Sequence, residues 1–218
     1  MAWADRKSAG EALSSALMNE RDGRCVVIGL PRGGVAVAAP VARALAAPLD
    51  IRIVKKIETP GAPELALGAV TDAGITVWNE PLVQHFGLTP SQLATAREDA
   101  LAAAKRRAAK LRGACPSLPL QGRHVLLVDD GMATGMTVAA AVAAIRQEQP
   151  ARLVVACPVA SATASKALAR RVDRLVTLAI PADFSAVGLH YADFTPVEEA
   201  EVSQLLREAH ASVVRQSS

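Results

Sequence analysis

Residues 125–137 read Val-Leu-Leu-Val-Asp-Asp-Gly-Met-Ala-Thr-Gly-Met-Thr, and this stretch says more about the fold than any other part of the chain. Its four opening apolar residues form the short continuous run expected of a strand buried on both faces of a parallel sheet. Two adjacent carboxylates, Asp129 and Asp130, follow at the carboxyl end, where open α/β sheets bind ligands. Ala133, Thr134, Gly135, Met136 and Thr137 then lead into the helix-like run Val138–Ile145. A helix that starts there turns backbone N–H groups and the positive end of its dipole toward an anion. A phosphate suits that loop, and a sugar diol suits two carboxylates that accept hydrogen bonds in pairs. Taken singly, Asp-Asp-Gly makes an ordinary turn and Thr-Gly an ordinary helix start. The joint pattern is what carries specificity. The loop lacks the Lys of a Gly-x4-Gly-Lys-Ser/Thr motif, which disfavours a nucleoside triphosphate.

Strand-like and helix-like segments alternate outward from this point. A helix over Lys7–Met18 precedes a strand at Cys25–Leu30, and a helix over Val35–Ala47 tolerates Pro40 in or near its first turn. Leu49–Val54 reads as a second strand. Gly, Pro and short β-like pieces over residues 57–80 suggest a hairpin or a mobile flap. Thr89, Pro90 and Gln92 form a capping box at the head of the longest helix, which Gly113 stops. Further strands are expected at Leu153–Cys157 and Leu175–Leu178, around a helix from Ser161 to Arg171, with a last helix from about Val197 to Val214. Repeated βα units indicate an α/β fold: an open, mainly parallel sheet with helices on both faces.

Two further clusters point to anions. Pro31-Arg32-Gly33-Gly34 follows a strand and precedes a helix, offering backbone N–H groups, one cation, and glycines that permit close approach. It also reads as a plain strand-to-helix turn. Arg52-Ile53-Val54-Lys55-Lys56 is either an exposed basic strand end or a source of a cation for a charged ligand, and the sequence does not choose between Lys55 and Lys56.

Composition bounds the rest. The 218 residues suit one domain, with 51% apolar and only 3% aromatic residues, so the core must be built from Ala, Val and Leu. No apolar run reaches the roughly 18–20 residues that span a bilayer, and Met1–Lys7 lacks an apolar signal region. Together these predict a cytoplasmic protein with no membrane partner. Cys25, Cys115 and Cys157 have no metal-type spacing, and Cys25 and Cys157 sit in Val-rich runs that predict burial. Net charge is only +3. The cluster Lys105-Arg106-Arg107, with Lys110 and Arg112, lacks interleaved aromatics and reads as a solvated helix face, so no nucleic-acid partner is expected.

The strand, Asp129-Asp130 and Thr134-Gly135-Met136-Thr137 resemble the phosphoribosyl-pyrophosphate (PRPP) signature of the type I phosphoribosyltransferases. Over nearly its whole length, including residues 60–70, the chain resembles a bacterial group of that family whose acceptor is not settled. The resemblance implies that Asp129 and Asp130 hold the ribose 2- and 3-hydroxyls and that the loop Ala133, Thr134, Gly135, Met136, Thr137 cradles the 5-phosphate. Arg32, Gly33 and Gly34 match the pyrophosphate loop, where a strained or cis non-proline peptide is characteristic, although Pro31 departs from many members and Arg32 stands where others have Lys. Arg32 with Lys55 or Lys56 would then meet the departing pyrophosphate, with Mg2+ as cofactor bridging pyrophosphate and ribose. Residues 181–194 resemble the hood of 6-oxopurine transferases at slightly different spacing. This implies Phe184 and Val187 at a base and Asp193 near the metal, directly or through water, while Phe184 reads equally as a core residue. The expected organisation is one domain over 1–218 with a flexible flap near 57–88 and a small hood subdomain near 180–218. The implied reaction transfers the phosphoribosyl group of PRPP to a small-molecule acceptor, with a nucleobase favoured, in a protein that could be a homodimer. The alternative is a non-catalytic regulator that binds PRPP or a nucleotide on the same fold.

Overall fold

In the computed structural model three apolar runs lie side by side as fully buried parallel strands. They are β1 (Cys25–Gly29), β6 (His124–Val128) and β7 (Arg152–Val159). The structure describes residues 3–59 and 61–216, with all side chains except those of residues 63, 64 and 213–216. The leader reading at residues 1 and 2, Pro60 of the flap and the final two residues of the hood lie outside the described residues.

The sheet is completed by β2 (Leu49–Ile51) and β8 (Arg174–Ala179), in the order β2-β1-β6-β7-β8, all parallel. Because side chains alternate along a strand, Cys25 and Val27 face one layer of helices while Val26 and Ile28 face the other. The first layer contains α1 (Arg6–Leu17), α2 (Gly33–Leu45), α4 (Pro90–Arg112) and α7 (Glu199–Gln216). The second contains α5 (Met136–Gln147) and α6 (Ala162–Ala169). With few aromatics available, Ala and Val fill both cores, and backbones approach closely. A methyl added at Gly10 of α1 would overlap Pro40 and the Val37 carbonyl of α2. Cys25 and Cys157 are buried as expected, and burial pushes both thiols up to about 12.

Chain order reverses at β1. The connection through α2 leads to β2 on one side, whereas β6 pairs on the other, from Cys25 opposite His124 to Gly29 opposite Val128. The carboxyl ends of β1 and β6 therefore flank a topological switch point, the place where such sheets hold ligands.

Several expectations need correction. Pro40 falls in the middle of α2 rather than in its first turn. Leu49–Val54 is not one strand: β2 stops at Ile51, and Val54 opens β3 (Val54–Thr59) of a separate antiparallel sheet with β4 (Ala62–Thr71) and β5 (Thr76–Trp78). This three-stranded hairpin sheet, followed by α3 (Glu80–Phe86), is the element read as a flap. The capping box of α4 forms as read, and Gly113 caps its end. Lys105, Arg106, Arg107 and Lys110 are exposed on that helix, but Arg112 is buried.

The break in the strand and the burial of Arg112 share one cause. Arg112 Nε donates to Asp50 Oδ1 at 2.7 Å and its Nη1 to Asp72 Oδ2 at 2.7 Å. Arg52, read as a basic strand end, also turns inward, to Asp50 at 3.2 Å and Glu148 at 2.8 Å. Asp50 also accepts the Leu118 N–H, and Asp72 the Ile53 N–H. The cluster bonds β2, the base of the hairpin sheet and the carboxyl ends of α4 and α5 at one point. Breaking one member of a buried ionic cluster strands its partners. Asp50→Ala should therefore lower stability by about 3–5 kcal/mol, and a urea denaturation curve within about 1 kcal/mol of the native one would refute the assignment.

Candidate active site

The loops that leave β1 and β6 touch directly. Leu30 N–H donates to the Val128 carbonyl at 3.0 Å, extending the strand pairing by one residue. The chain then turns through a cis peptide between Pro31 and Arg32, and Arg32 occupies the N-cap position of α2. Gly33 and Gly34 lie against the acidic pair. A methyl added at Gly34 would sit 2.7 Å from the Val128 carbonyl oxygen and 2.9 Å from Asp129 Oδ1, and one at Gly33 would overlap Asp130 Oδ2. Both glycines are required by space rather than by dihedral angle.

Within the pair, the Asp130 N–H donates to Asp129 Oδ1 at 3.0 Å, while Asp130 Oδ2 accepts Arg6 Nε at 2.7 Å. Burial, and then the charge of Asp130, push the Asp129 carboxyl well above the usual carboxylate range, although the Asp130 N–H and Arg6 oppose this.

The phosphate-loop candidates are held from β7. Met132 N–H donates to the Val159 carbonyl, Ser161 N–H to the Met132 carbonyl and Ser161 Oγ to the Ala133 carbonyl, at 2.9, 2.8 and 2.6 Å. Gly135 takes φ 71° at the head of α5, against Ala164. Ala133, Thr134, Met136 and Thr137 are exposed around that helix start, whose first N–H groups have no partner inside the helix.

The segment read as a hood is joined to the start of the described chain. Trp3 N–H donates to the His190 carbonyl, Ala192 N–H to the Trp3 carbonyl and Asp193 N–H to the Ala4 carbonyl. Tyr191 and Phe194 pack at 5.1 Å, and the Arg6 guanidinium lies 3.8 Å from the Phe194 ring centre. The Tyr191 hydroxyl donates to the Asp130 carbonyl. Val187 crowds Gly131, where an added methyl would come within 2.5 Å of Cγ1. Phe184 stacks on His190 at 5.6 Å and 16°. Asp193 accepts from the Thr195 N–H and hydroxyl, which hold its carboxyl below the usual range.

The structure thus brings together Gly33, Gly34, Asp129 and Asp130 beside the loop that leads to residues 133–137, with Val187 against Gly131, whereas the Arg32 side chain is not brought to the acidic pair. Lys55 and Lys56 both line a cleft of about 690 Å³ between β3 and α4, and Lys56 also lines a cleft of about 700 Å³ that includes Met136 and Thr137. Both are exposed. Arg32 faces Lys110, Glu198 and Glu199 across a third cleft. Arg6, Tyr191 and Ser161 were not singled out by sequence. For Arg6 a signal existed: a cation in the first turn of a helix opposes the macrodipole, so it invites a search for an acidic partner elsewhere.

With this geometry in place, a family model, phosphoribosyl transferase domain, matches residues 3–193. The chain belongs to the phosphoribosyl transferase family. The "Putative phosphoribosyl transferase MT0597" of Mycobacterium tuberculosis is 39% identical over 206 residues, covering 94% of this chain. Those residues are 46% of that protein, so the chain spans about half the length of the curated relatives it matches. The crystal structure of TT1426 from Thermus thermophilus is 41% identical, with a TM-score of 0.85 over 95% of this chain and 99% of that one. That likeness places the chain among proteins of the same α/β architecture.

The raised Asp129 carboxyl has a consequence for stability. A carboxyl whose folded value lies above its unfolded one holds its proton more tightly when folded. It therefore favours the folded state most at low pH, and that contribution is lost as pH rises through the raised value. Asp129→Asn removes the dependence. It should stabilise the ligand-free protein at pH 7 relative to the native chain, with the gain vanishing below the ordinary aspartate range, as urea unfolding at several pH values would report.

Proposed function

We propose that the chain transfers the 5-phosphoribosyl group of PRPP to a nitrogen nucleophile, a nucleobase of the 6-oxopurine type, and releases pyrophosphate. One observation supports this reading: the loops after β1 and β6, each leading into a helix start, touch at the switch point beside a pair of carboxylates. Asp129 and Asp130 bind the ribose hydroxyls. The Ala133–Thr137 backbone binds the 5-phosphate, and the Gly33 and Gly34 backbone with Arg32 binds pyrophosphate. Lys56, which shares a cleft with Thr137, is better placed than Lys55 to add a cation on that side.

The C1–oxygen bond breaks with its electron pair going to pyrophosphate, and the C1–nitrogen bond forms as the nucleophile loses a proton. Bond breaking leads, so positive charge grows on the ring, as in other glycosyl transfers. Positioning and fixed electrostatics supply most of the acceleration. Among the described residues no group of three or more His, Cys, Asp or Glu gathers to hold a metal. A carboxylate-lined site whose oxygens are taken up by a sugar diol nonetheless suits Mg2+ held mainly by substrate oxygens and water. Such an ion would neutralise pyrophosphate charge, with Asp193 reaching it through water. Val187 over Gly131 sets the hood beside the ribose site. Phe184, which stacks on His190 and packs against the Trp3–Tyr191 cluster, is proposed to border the base. The hairpin sheet is proposed as a lid that limits PRPP hydrolysis. No helix among the described residues is long and apolar enough to cross a membrane.

A screen of nucleobases with PRPP, following pyrophosphate release, tests the reading. Tight PRPP binding with no release for any base would instead favour a PRPP-binding regulator. With the responsive base, Arg32→Ala should lower kcat at least about tenfold with a smaller change in KM, because an interaction that strengthens as charge leaves is lost from the transition state. An effect on KM alone would make Arg32 a substrate anchor.

A further inference from the structure

The two carboxylates at the site offer four oxygens, and the protein itself uses two of them. Asp129 Oδ1 accepts the Asp130 N–H and lies against Gly34. Asp130 Oδ2 accepts Arg6 Nε at 2.7 Å and lies against Gly33. Among the described residues no hydrogen bond reaches Asp129 Oδ2 or Asp130 Oδ1. One acceptor oxygen per carboxylate remains, on adjacent residues, and a cis diol presents two O–H donors on adjacent carbons.

Arg6 is held firmly enough to enforce this division. Its side chain is 11% exposed, its Nη1 donates to the Thr195 carbonyl at 2.9 Å, and its guanidinium lies 3.8 Å from the Phe194 ring centre. Asp5, the N-cap of α1, fixes the backbone from which Arg6 projects, through a capping box with Ser8. The Tyr191 hydroxyl holds the Asp130 carbonyl from the same side. Without Arg6 the Asp130 carboxylate could rotate, and two negative groups on adjacent residues would face the ligand with only the Asp130 N–H between them.

We propose that Arg6 is a positioning residue that fixes the Asp130 carboxylate so that the acidic pair presents one oxygen to each hydroxyl of a cis diol, making the site selective for ribose over deoxyribose phosphates. The inference rests on the reading of this site as a ribose phosphate site, and nothing in the pyrophosphate or phosphate loops depends on it. Inorganic phosphate, which needs only the 133–137 backbone, is the control ligand.

Calorimetry of the native protein with ribose 5-phosphate, 2-deoxyribose 5-phosphate and inorganic phosphate tests it. A charge-assisted hydrogen bond lost with the 2-hydroxyl should make the deoxy sugar bind about tenfold more weakly. In Arg6→Gln the two sugars should bind within about twofold of one another, while phosphate affinity stays as in the native protein. Retention of the tenfold preference in Arg6→Gln overturns the proposal, as does an equal loss for all three ligands, which would mark Arg6 as scaffold. A native protein that does not distinguish the two sugars overturns the ribose reading of the site, and this inference with it. Should Arg6→Gln not fold, the native protein still decides the matter by nuclear magnetic resonance. The Arg6 Nε–H signal should move with ribose 5-phosphate and stay in place with inorganic phosphate, and a signal indifferent to both refutes the role.

Discussion

The parallel pairing of β1 with β6 is the constraint on which the site depends. It fixes Gly29 opposite Val128, so the loops after these strands have to pass each other within van der Waals distance. A side chain at position 33 or 34 would displace the carboxylate facing it. Small residues there are thus a packing requirement, and the result is a close approach of unlike chemistry: a glycine backbone at the start of α2 on one side, two carboxylates on the other.

A second constraint holds the outlying hairpin sheet. Among the described residues its strands make no ladder with the central sheet, and besides the apolar packing of Ile57, Leu67 and Val70 on Ala100 of α4 it is tied to the core by the ion pairs of Asp50 with Arg52 and Arg112 and of Asp72 with Arg112. A buried ionic cluster is directional where an apolar contact is not, since each carboxylate oxygen must meet its donor at the right angle. It therefore sets where β3 leaves the core. The cost of desolvating these charges is accepted at the base of the hairpin sheet rather than in either core layer, both of which are built mainly from Ala, Val, Leu and Ile.

The acidic pair shows the reverse balance. Burial and mutual repulsion raise the Asp129 carboxyl, a local penalty that structure alone would remove. Arg6 and the Asp130 N–H offset part of it, and the hood segments around Trp3 and Tyr191 supply the frame that keeps Arg6 in place. Charge held at some expense of stability, at the carboxyl end of a parallel strand, is the arrangement expected of a binding site rather than of a core.

Local patterns determined a good deal by themselves. The fully apolar strands, the capping box at Thr89 and Gln92, the βα alternation, and the Asp129-Asp130 and Gly33-Gly34 clusters all lie within windows of a few residues, where strand burial, helix capping and turn chemistry act. Tertiary structure decided what depends on residues far apart in the chain. Arg52 and Arg112 look like surface cations in their own segments, and only the meeting of β2, α4 and α5 shows that their partners are Asp50, Asp72 and Glu148. The same meeting ends β2 at Ile51, a break that the apolar pattern of Leu49–Val54 conceals. Arg6 reaches Asp130 because residues 3 and 4 pair with residues 190–193, which returns the start of α1 to the end of β6. Hydrophobic periodicity records which face of an element is buried. It does not record which charged group waits on the element packed against that face.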